Sequence, residues 1–452
     1  MTKVLAPDIV VDDALGNSSY IVDIGDGRAL VIDPARDPSP YLALAGDRGL
    51  EIAFVAETHL HADFVTGSRE LALRGAQVLA SAAGRVEFPH RGVYDGDEVD
   101  LGGLRLRALA TPGHTPEHLA YLLCDHDVPV ALFSGGSLIV GAVARTDLIS
   151  PERTEELSRS LWRSLQDSIL TLPDELAVFP THGAGSFCTA SPGGERVTTI
   201  GREKATNPLL GAPDEDTFVA RLLGSLGTYP AYFRTLREVN RRGPVAYGSF
   251  PGLPSLALAE LRRLVDHGAE LIDARPVSEF AAGHIPGSLS IALRAQFGSW
   301  LGWLTERDRP LAFVLNQSQD RTELVRQCLT IGYENIAGEL AGGIETWTAA
   351  GLPVNRIPLL PPERIDRVPV LDVRQQVEFE AGHIPGAVHV ELGSLPGHLG
   401  DMPDGTMTVM CGHGERAATA ASLLARSGRG DVTILEGGPD ELAAARHEHL
   451  AR

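Results

Sequence analysis

Apolar residues in the first third of the chain fall in short runs separated by turn residues. "SSYIVDIGDGRALVIDP" holds two such runs around Gly25-Asp26-Gly27, which predicts a β-hairpin. "IAFVAETH" reads as a buried strand that delivers His59 at its end, and "GSRELALRGA" as a helix. "LRLRALATPGH", "HLAYLLCD" and "VPVALFSGG" predict three more strands. Their C-terminal ends repeatedly carry His or Gly, where layered α/β proteins place their sites. The stretch "DEDTFVARLLGSLGTYPAYFRTLREVNRRGP" changes period and reads as helices broken at Pro.

Beyond residue 250 the pattern repeats. "DARPVSEFAAGHIPGSLSIAL" starts at Asp273 and "DVRQQVEFEAGHIPGAVHVEL" at Asp372, and both contain E-F-x-x-G-H-I-P-G, from Glu279 and from Glu378. Each copy has a strand before it and a strand, loop and helix after it. Two tandem α/β domains with parallel sheets are expected, joined by the Pro-rich "GLPVNRIPLLPP".

The 452 residues suffice for several cores. The balance of 39 basic against 59 acidic residues, −20 overall, excludes nucleic acid and anionic membrane as main partners. The chain reads as cytoplasmic. The N-terminal "MTKVLAPDIVVDDALG" has no apolar core of a signal peptide, and no membrane-length apolar run occurs. The four cysteines, Cys124, Cys188, Cys328 and Cys411, form no C-x-x-C pair, which argues against a zinc ribbon and a disulfide framework.

The strongest chemistry lies in "MTVMCGHGERAATAASLLARSG". Cys411 stands at a strand end. Gly412 and Gly414 free the backbone to curl, and a helix starts near Arg416. Inward N–H groups, the helix dipole and a neighbouring guanidinium together stabilise a thiolate or persulfide. His413 and Glu415 complete the loop. In the earlier copy, aligning Arg321 with Arg416 places Asn316 at the cysteine position, and an amide cannot carry sulfur. Cys328 falls inside the following helix. His284 and His383 of the repeated motif read as turn-stabilising residues.

In the front third, "THLHADFVTG" sets His59, His61 and Asp63 at H-x-H-x-D spacing, with Phe64 next. "TPGHTPEH" adds His114 and His118, and "FPTHGAGS" adds His182. His and Asp at such spacing suit a metal site. Asp63 can instead orient a neighbouring His. Arg145 and Asp147 of "ARTDL" read as a buried ion pair beneath the site, and Cys188 as packing.

These motifs carry two resemblances. The last ~90 residues resemble the rhodanese sulfurtransferases. That resemblance implies that Cys411 is the nucleophile and that residues 412 to 416 cradle the transferred sulfur. Residues 1 to about 200 resemble the metallo-β-lactamase fold. Nearly the whole chain resembles persulfide dioxygenases fused to rhodanese domains. The implied architecture is an αββα sandwich over residues 1–200, a helical connector over 201–250, a rhodanese-like domain without catalytic cysteine over 251–355, and a rhodanese domain over 356–452.

In those dioxygenases two His and one Asp hold Fe(II), and the matching positions are His59, His114 and Gly136. The carboxylate is therefore absent, and Phe64 removes a ligand that two-metal hydrolases use. Three outcomes stay open. The domain binds no metal; or His59, His61 and His114 hold one ion, suiting Zn(II); or Fe(II) is held by two His with water, Asp63 or an outside anion. The expected activity is sulfane-sulfur transfer through a Cys411 persulfide, from thiosulfate or a small persulfide such as glutathione persulfide to a thiol. A working persulfide dioxygenase, a single-metal hydrolase or thioesterase, and a non-catalytic sulfur carrier are the alternatives. The resemblance also implies a homo-oligomer.

Overall fold

The computed structural model describes residues 7–189 and 194–452. Residues 1–6, which open the stretch read as lacking a signal peptide, lie outside the described residues. The chain divides into two compact units, residues 1–251 with 329–332 and residues 252–328 with 333–452. No helix among the described residues is long and apolar enough to cross a membrane.

The first unit is built on two six-stranded sheets. One follows chain order through Asp8–Asp12, Asn17–Gly25, Arg28–Ile32, Glu51–Ala56, Gln77–Ser81 and Arg91–Val93. The other runs Thr198–Thr199, Ala177–Pro180, Val128–Gly135, Leu119–Asp125, Leu104–Ala110 and Glu98–Asp100. The hairpin at Gly25–Gly27 forms as its sequence predicts. Asp26 and Gly27 take φ of 48° and 80°, the left-handed pair that matches the twist of the flanking strands.

Strand alternation explains the layers. Tyr20, Val22 and Ile24 point between the sheets and pack with Leu106, Tyr121, Leu123, Phe133 and Phe179. Ile21 and Val31 point the other way, onto Tyr41 and Ala45 of the helix Ser39–Asp47. On the far face, Leu122 and Leu132 pack under Leu161 and Leu165 of the helix Thr154–Asp167. This is an αββα sandwich. The helix read in "GSRELALRGA" covers only Ser68–Ala72, and the chain turns away at Gly75, whose φ is 103°.

The helices Ile200–Thr206, Glu215–Gly224 and Phe233–Arg242 belong to this same unit. The last of them clasps the H-x-H-x-D loop. Asn240, 2% exposed, donates to the His61 and Phe64 carbonyls at 2.8 Å each and accepts from Thr66 N–H at 3.0 Å. Tyr232 Oη donates to the Asp63 carbonyl at 3.0 Å.

The second unit holds two five-stranded parallel sheets of identical order. One is Ser255–Leu256, Ile336–Leu340, Leu311–Val314, Glu270–Asp273, Leu289–Ser290; its twin is Leu359–Leu360, Val432–Leu435, Met407–Met410, Val370–Asp372, Val388–His389. The central strands Leu311–Val314 and Met407–Met410 are buried throughout, as sheets covered on both faces require.

The repeated motif has one job in both copies. Arg275 and Arg374 pair with Asp273 and Asp372, and each also donates to a glycine carbonyl, Gly283 or Gly382, at 2.8 Å. The following His stacks on the motif Phe, with centroids 3.9 Å apart for His284 and 3.8 Å for His383. The copies meet through the helix Glu415–Arg426, where Ser422 Oγ accepts from Ser290 N–H at 3.1 Å and Arg426 donates to the Gly287 carbonyl at 2.8 Å.

Asn240→Ala removes three buried hydrogen bonds and leaves their loop partners unsatisfied. The expected cost is about 2–4 kcal/mol, read as an earlier denaturant midpoint for the first unit.

Candidate functional site

A buried carboxylate organises the front site. Asp33 follows the strand Arg28–Ile32 with φ of 48°, a left-handed conformation that short polar side chains tolerate. It accepts from Thr58 N–H at 2.7 Å, from Thr58 Oγ1 at 2.6 Å and from Thr181 Oγ1. Thr58 and Thr181 follow strands of different sheets, so one side chain ties the two sheet ends together.

The hydrogen bonds fix the tautomers of three histidines. Thr58 Oγ1 spends its proton on Asp33, so at 2.8 Å it accepts from His59 Nδ1–H. The Arg145 carbonyl can only accept, so His114 Nδ1 donates to it at 2.7 Å. Asn17 Nδ2 donates to Asp63 Oδ2 at 2.7 Å, which turns Asn17 Oδ1 toward His182 Nδ1–H at 2.9 Å. In all three rings Nε2 keeps its lone pair.

These residues lie together: His59, His114 and His182 can each offer a ligand atom within 4.8 Å of the other two. His59 and His182 Nε2 are 3.4 Å apart. His114 Nε2 is buried with no hydrogen-bond partner. Burial and the neighbouring rings hold all three neutral, with His114 and His182 pushed down to about 3.

The H-x-H spacing suggests that His59 and His61 act on one ion; their ring centroids lie 4.1 Å apart, and the His61 ring also meets two carboxylates. His61 Nε2 lies 3.3 Å from Asp33 Oδ1 and 3.2 Å from Glu57 Oε2, and Phe64 stacks on the ring at 4.2 Å. Burial lowers the pKa of His61, yet the two carboxylates outweigh it and push it up to about 10. His61 also enters two further ligand groupings, with Asp33 and His59 and with Asp63 and His182.

Asp63 is buried and its Oδ1 lacks a partner, and burial raises its pKa. Cys188, read from sequence as packing, has a neighbour after all: burial, then the charge of Asp63, pushes its thiol well above the usual range.

Gly136 is not a gap waiting for a carboxylate. A Cβ there would lie 2.6 Å from His114 Cδ2 and 3.0 Å from Ala144 Cβ. The His114 ring fills that space. Gly136 N–H donates to His118 Nε2 at 3.0 Å, and His118 Nδ1 meets Thr111 Oγ1 at 2.8 Å, so both nitrogens of His118 are engaged. Arg145 forks onto Asp147 at 2.7 and 2.8 Å and its guanidinium sits 4.3 Å over Tyr229, which holds its carbonyl against His114.

The second site is the loop from Cys411 to Arg416. Cys411 ends the strand Met407–Met410 and is 1% exposed. Gly414, at φ 98°, donates its N–H to Cys411 Sγ at 3.1 Å and precedes the helix Glu415–Arg426. Only a residue free of Cβ strain adopts that φ readily. Gly412 is partly buried and His413 is exposed. Arg416 forks onto Glu378 at 2.6 and 2.8 Å. Glu378 opens the repeated motif, a signal present in the sequence but not assigned a role there.

In the other copy the sheet register differs from the sequence alignment. Asp273 pairs with Val314 as Asp372 pairs with Met410, so Leu315 stands where Cys411 stands and Asn316 is one residue further on. The loop before the helix Arg321–Thr330 is longer. Its own side chains close it: Asn316 Nδ2 donates to Glu279 at 2.9 Å, Gln319 Nε2 to the Ala274 carbonyl at 2.6 Å, and Arg321 forks onto Glu339 at 3.0 and 2.9 Å. Cys328 is buried in the helix, and burial alone raises its pKa.

The family models agree with this layout. The metallo-β-lactamase superfamily matches residues 12–182, and the rhodanese-like domain matches residues 257–350 and 362–445. The chain is 32% identical over 213 residues to human persulfide dioxygenase ETHE1, mitochondrial, covering 46% of this chain and 76% of that protein. It is 31% identical over 258 residues to the hydroxyacylglutathione hydrolase of Methylococcus capsulatus, covering 54% of this chain and 90% of that one. A crystal structure of a metallo-beta-lactamase from Staphylococcus aureus superposes with a TM-score of 0.65 at 30% identity, covering 75% of this chain and 99% of that chain.

An αββα sandwich with a histidine pocket, followed by a doubled parallel-sheet unit with one cysteine loop, is the architecture of a metallo-β-lactamase–rhodanese fusion. The chain belongs to the metallo-β-lactamase superfamily, as a fusion of a domain homologous to the persulfide dioxygenases with two rhodanese-like domains. It is an enzyme of sulfur metabolism. The fold and its His and Asp groups support a metal such as iron or zinc.

Two substitutions check this geometry. Gly136→Asp drives a side chain into the His114 ring and buries a carboxylate, so stability falls by about 1–3 kcal/mol in urea unfolding. Glu378→Gln takes the carboxylate partner from Arg416, so urea unfolding of the second unit shifts earlier by about 1 kcal/mol.

Proposed function

We propose that the protein is a sulfurtransferase that carries sulfane sulfur as a Cys411 persulfide. The Gly414 N–H pointed at Sγ carries this reading. An amide donor and a helix N-terminus favour negative charge on sulfur, and Arg416, kept in place by Glu378, adds positive charge at the loop.

The reaction balances without an oxidant. Cys411 thiolate attacks the outer sulfur of a persulfide R–S–S⁻. The new Cys411 S–S bond forms as the donor S–S bond breaks, and R–S⁻ leaves. With thiosulfate the leaving group is sulfite. An acceptor thiolate then attacks the outer sulfur of the Cys411 persulfide, takes it, and regenerates the thiolate. Thiols and small persulfides such as glutathione persulfide are the partners this chemistry implies. The names of two relatives fit such small sulfur compounds: one is called a persulfide dioxygenase, another a hydroxyacylglutathione hydrolase.

Oxidation of a persulfide by iron on two histidines and an aspartate gains no support from position 136, where the His114 ring occupies the room a carboxylate needs.

Thiosulfate or glutathione persulfide, with cyanide or a thiol as acceptor, tests the proposal. Wild-type protein turns over, and Cys411→Ser falls to background, a loss of at least about a hundredfold. Undiminished turnover in Cys411→Ser overturns it. Asn316→Cys does not create a second transfer site, because the sheet register sets position 315, not 316, opposite Cys411.

A further inference from the structure

We infer that His59, His114 and His182 hold one divalent transition-metal ion through their Nε2 atoms, with His182 in the role that a carboxylate fills in the resembled dioxygenases. This goes beyond sulfur transfer at Cys411 and does not depend on it.

Three observations converge. First, each ring has its Nδ1 proton committed, to Thr58 Oγ1, to the Arg145 carbonyl and to Asn17 Oδ1, so three lone pairs face one another. Fixing the far nitrogen in this way is how proteins orient imidazole ligands. Second, two acceptor nitrogens 3.4 Å apart repel unless a cation lies between them. Three imidazoles around a tetrahedral ion at about 2.0–2.1 Å have N···N edges of about 3.3–3.4 Å. Third, His114 Nε2 is buried with no other use, an expensive omission unless it has a ligand.

The usual third ligand is unavailable. Gly136 has no donor, and its Cβ position is taken by His114 itself. His61 fits less well than His182. Its Nε2 is engaged by the carboxylates of Asp33 and Glu57, at 3.3 and 3.2 Å, rather than left with a free lone pair. Asp63 stands one step back, bonded to Asn17, which holds His182. Held by these three imidazoles, such an ion would supply Lewis-acid chemistry. The chain's own part is to hold three neutral rings at fixed angles, through Thr58, Arg145 and Asn17.

Full-length protein stripped of metal and titrated with Co(II), then with Zn(II), tests the inference by bound metal per chain and by visible absorption. One ion per chain with the intense bands of tetrahedral Co(II) is expected. His182→Ala weakens binding at least about tenfold and removes the bands, while His61→Asn keeps both. Circular dichroism of the metal-free variants checks their folding. If His182→Ala does not fold, Asn17→Ala decides: a roughly tenfold weaker site supports the inference, and unchanged affinity overturns it. Folded wild type that binds no metal overturns it. So do bands that survive in His182→Ala, or that vanish in a folded His61→Asn.

Discussion

The front domain depends on one buried carboxylate. Asp33 accepts two hydrogen bonds from Thr58 and one from Thr181, and it lies beside His61. A charge taken out of water is costly unless it is compensated on every side, and here it is. The geometry that satisfies Asp33 sets everything near it. Thr58 must point its proton at Asp33, so it can only accept from His59. His59 must then turn its free nitrogen inward. Thr181 fixes the chain that presents His182. The histidine pocket is the outcome of satisfying Asp33 at the junction of two sheets.

The doubled unit shows the same logic applied twice with different results. Both copies keep the Asp-x-Arg pair and the His–Phe stack, so both loops start from the same scaffold. In one, the motif glutamate Glu378 secures Arg416 beside a strand-end thiol, and a left-handed glycine turns an amide toward sulfur. In the other, Glu279 is spent on Asn316, the arginine swings to Glu339, and Leu315 occupies the strand end. In this copy the loop's polar side chains are bonded to the protein itself. The scaffold is shared; the side chains that close the loop are not.

What the sequence made legible is local. The Gly25–Gly27 hairpin, the duplicated motif and the Cys411 loop each sit within a few residues, where turn and strand rules act directly. What it hid is long-range. Asp33 reads as an ordinary strand end in "VIDP", and its partners lie 25 and 148 positions away. Glu57 precedes the His motif and carries no signal of its own. The spacing of His59 and His61 suggests a shared ion, and nothing in it reveals that the carboxylates of Asp33 and Glu57 lie beside His61. The offset between Leu315 and Asn316 was equally invisible. An arginine anchors the alignment, whereas hydrogen bonds between strands anchor the fold.

Two sites thus coexist in one chain, a pocket of neutral imidazoles and a thiol under an inward amide. The central claim is that Cys411 is the atom that accepts sulfur. Mass spectrometry after brief exposure of the intact protein to a small persulfide, with peptide mapping, tests it most directly. The account predicts the mass increment of one sulfur on the peptide bearing Cys411, lost on adding a thiol acceptor, and none on Cys124, Cys188 or Cys328. Sulfur that loads instead on Cys188 or Cys328, with Cys411 unmodified, would contradict it.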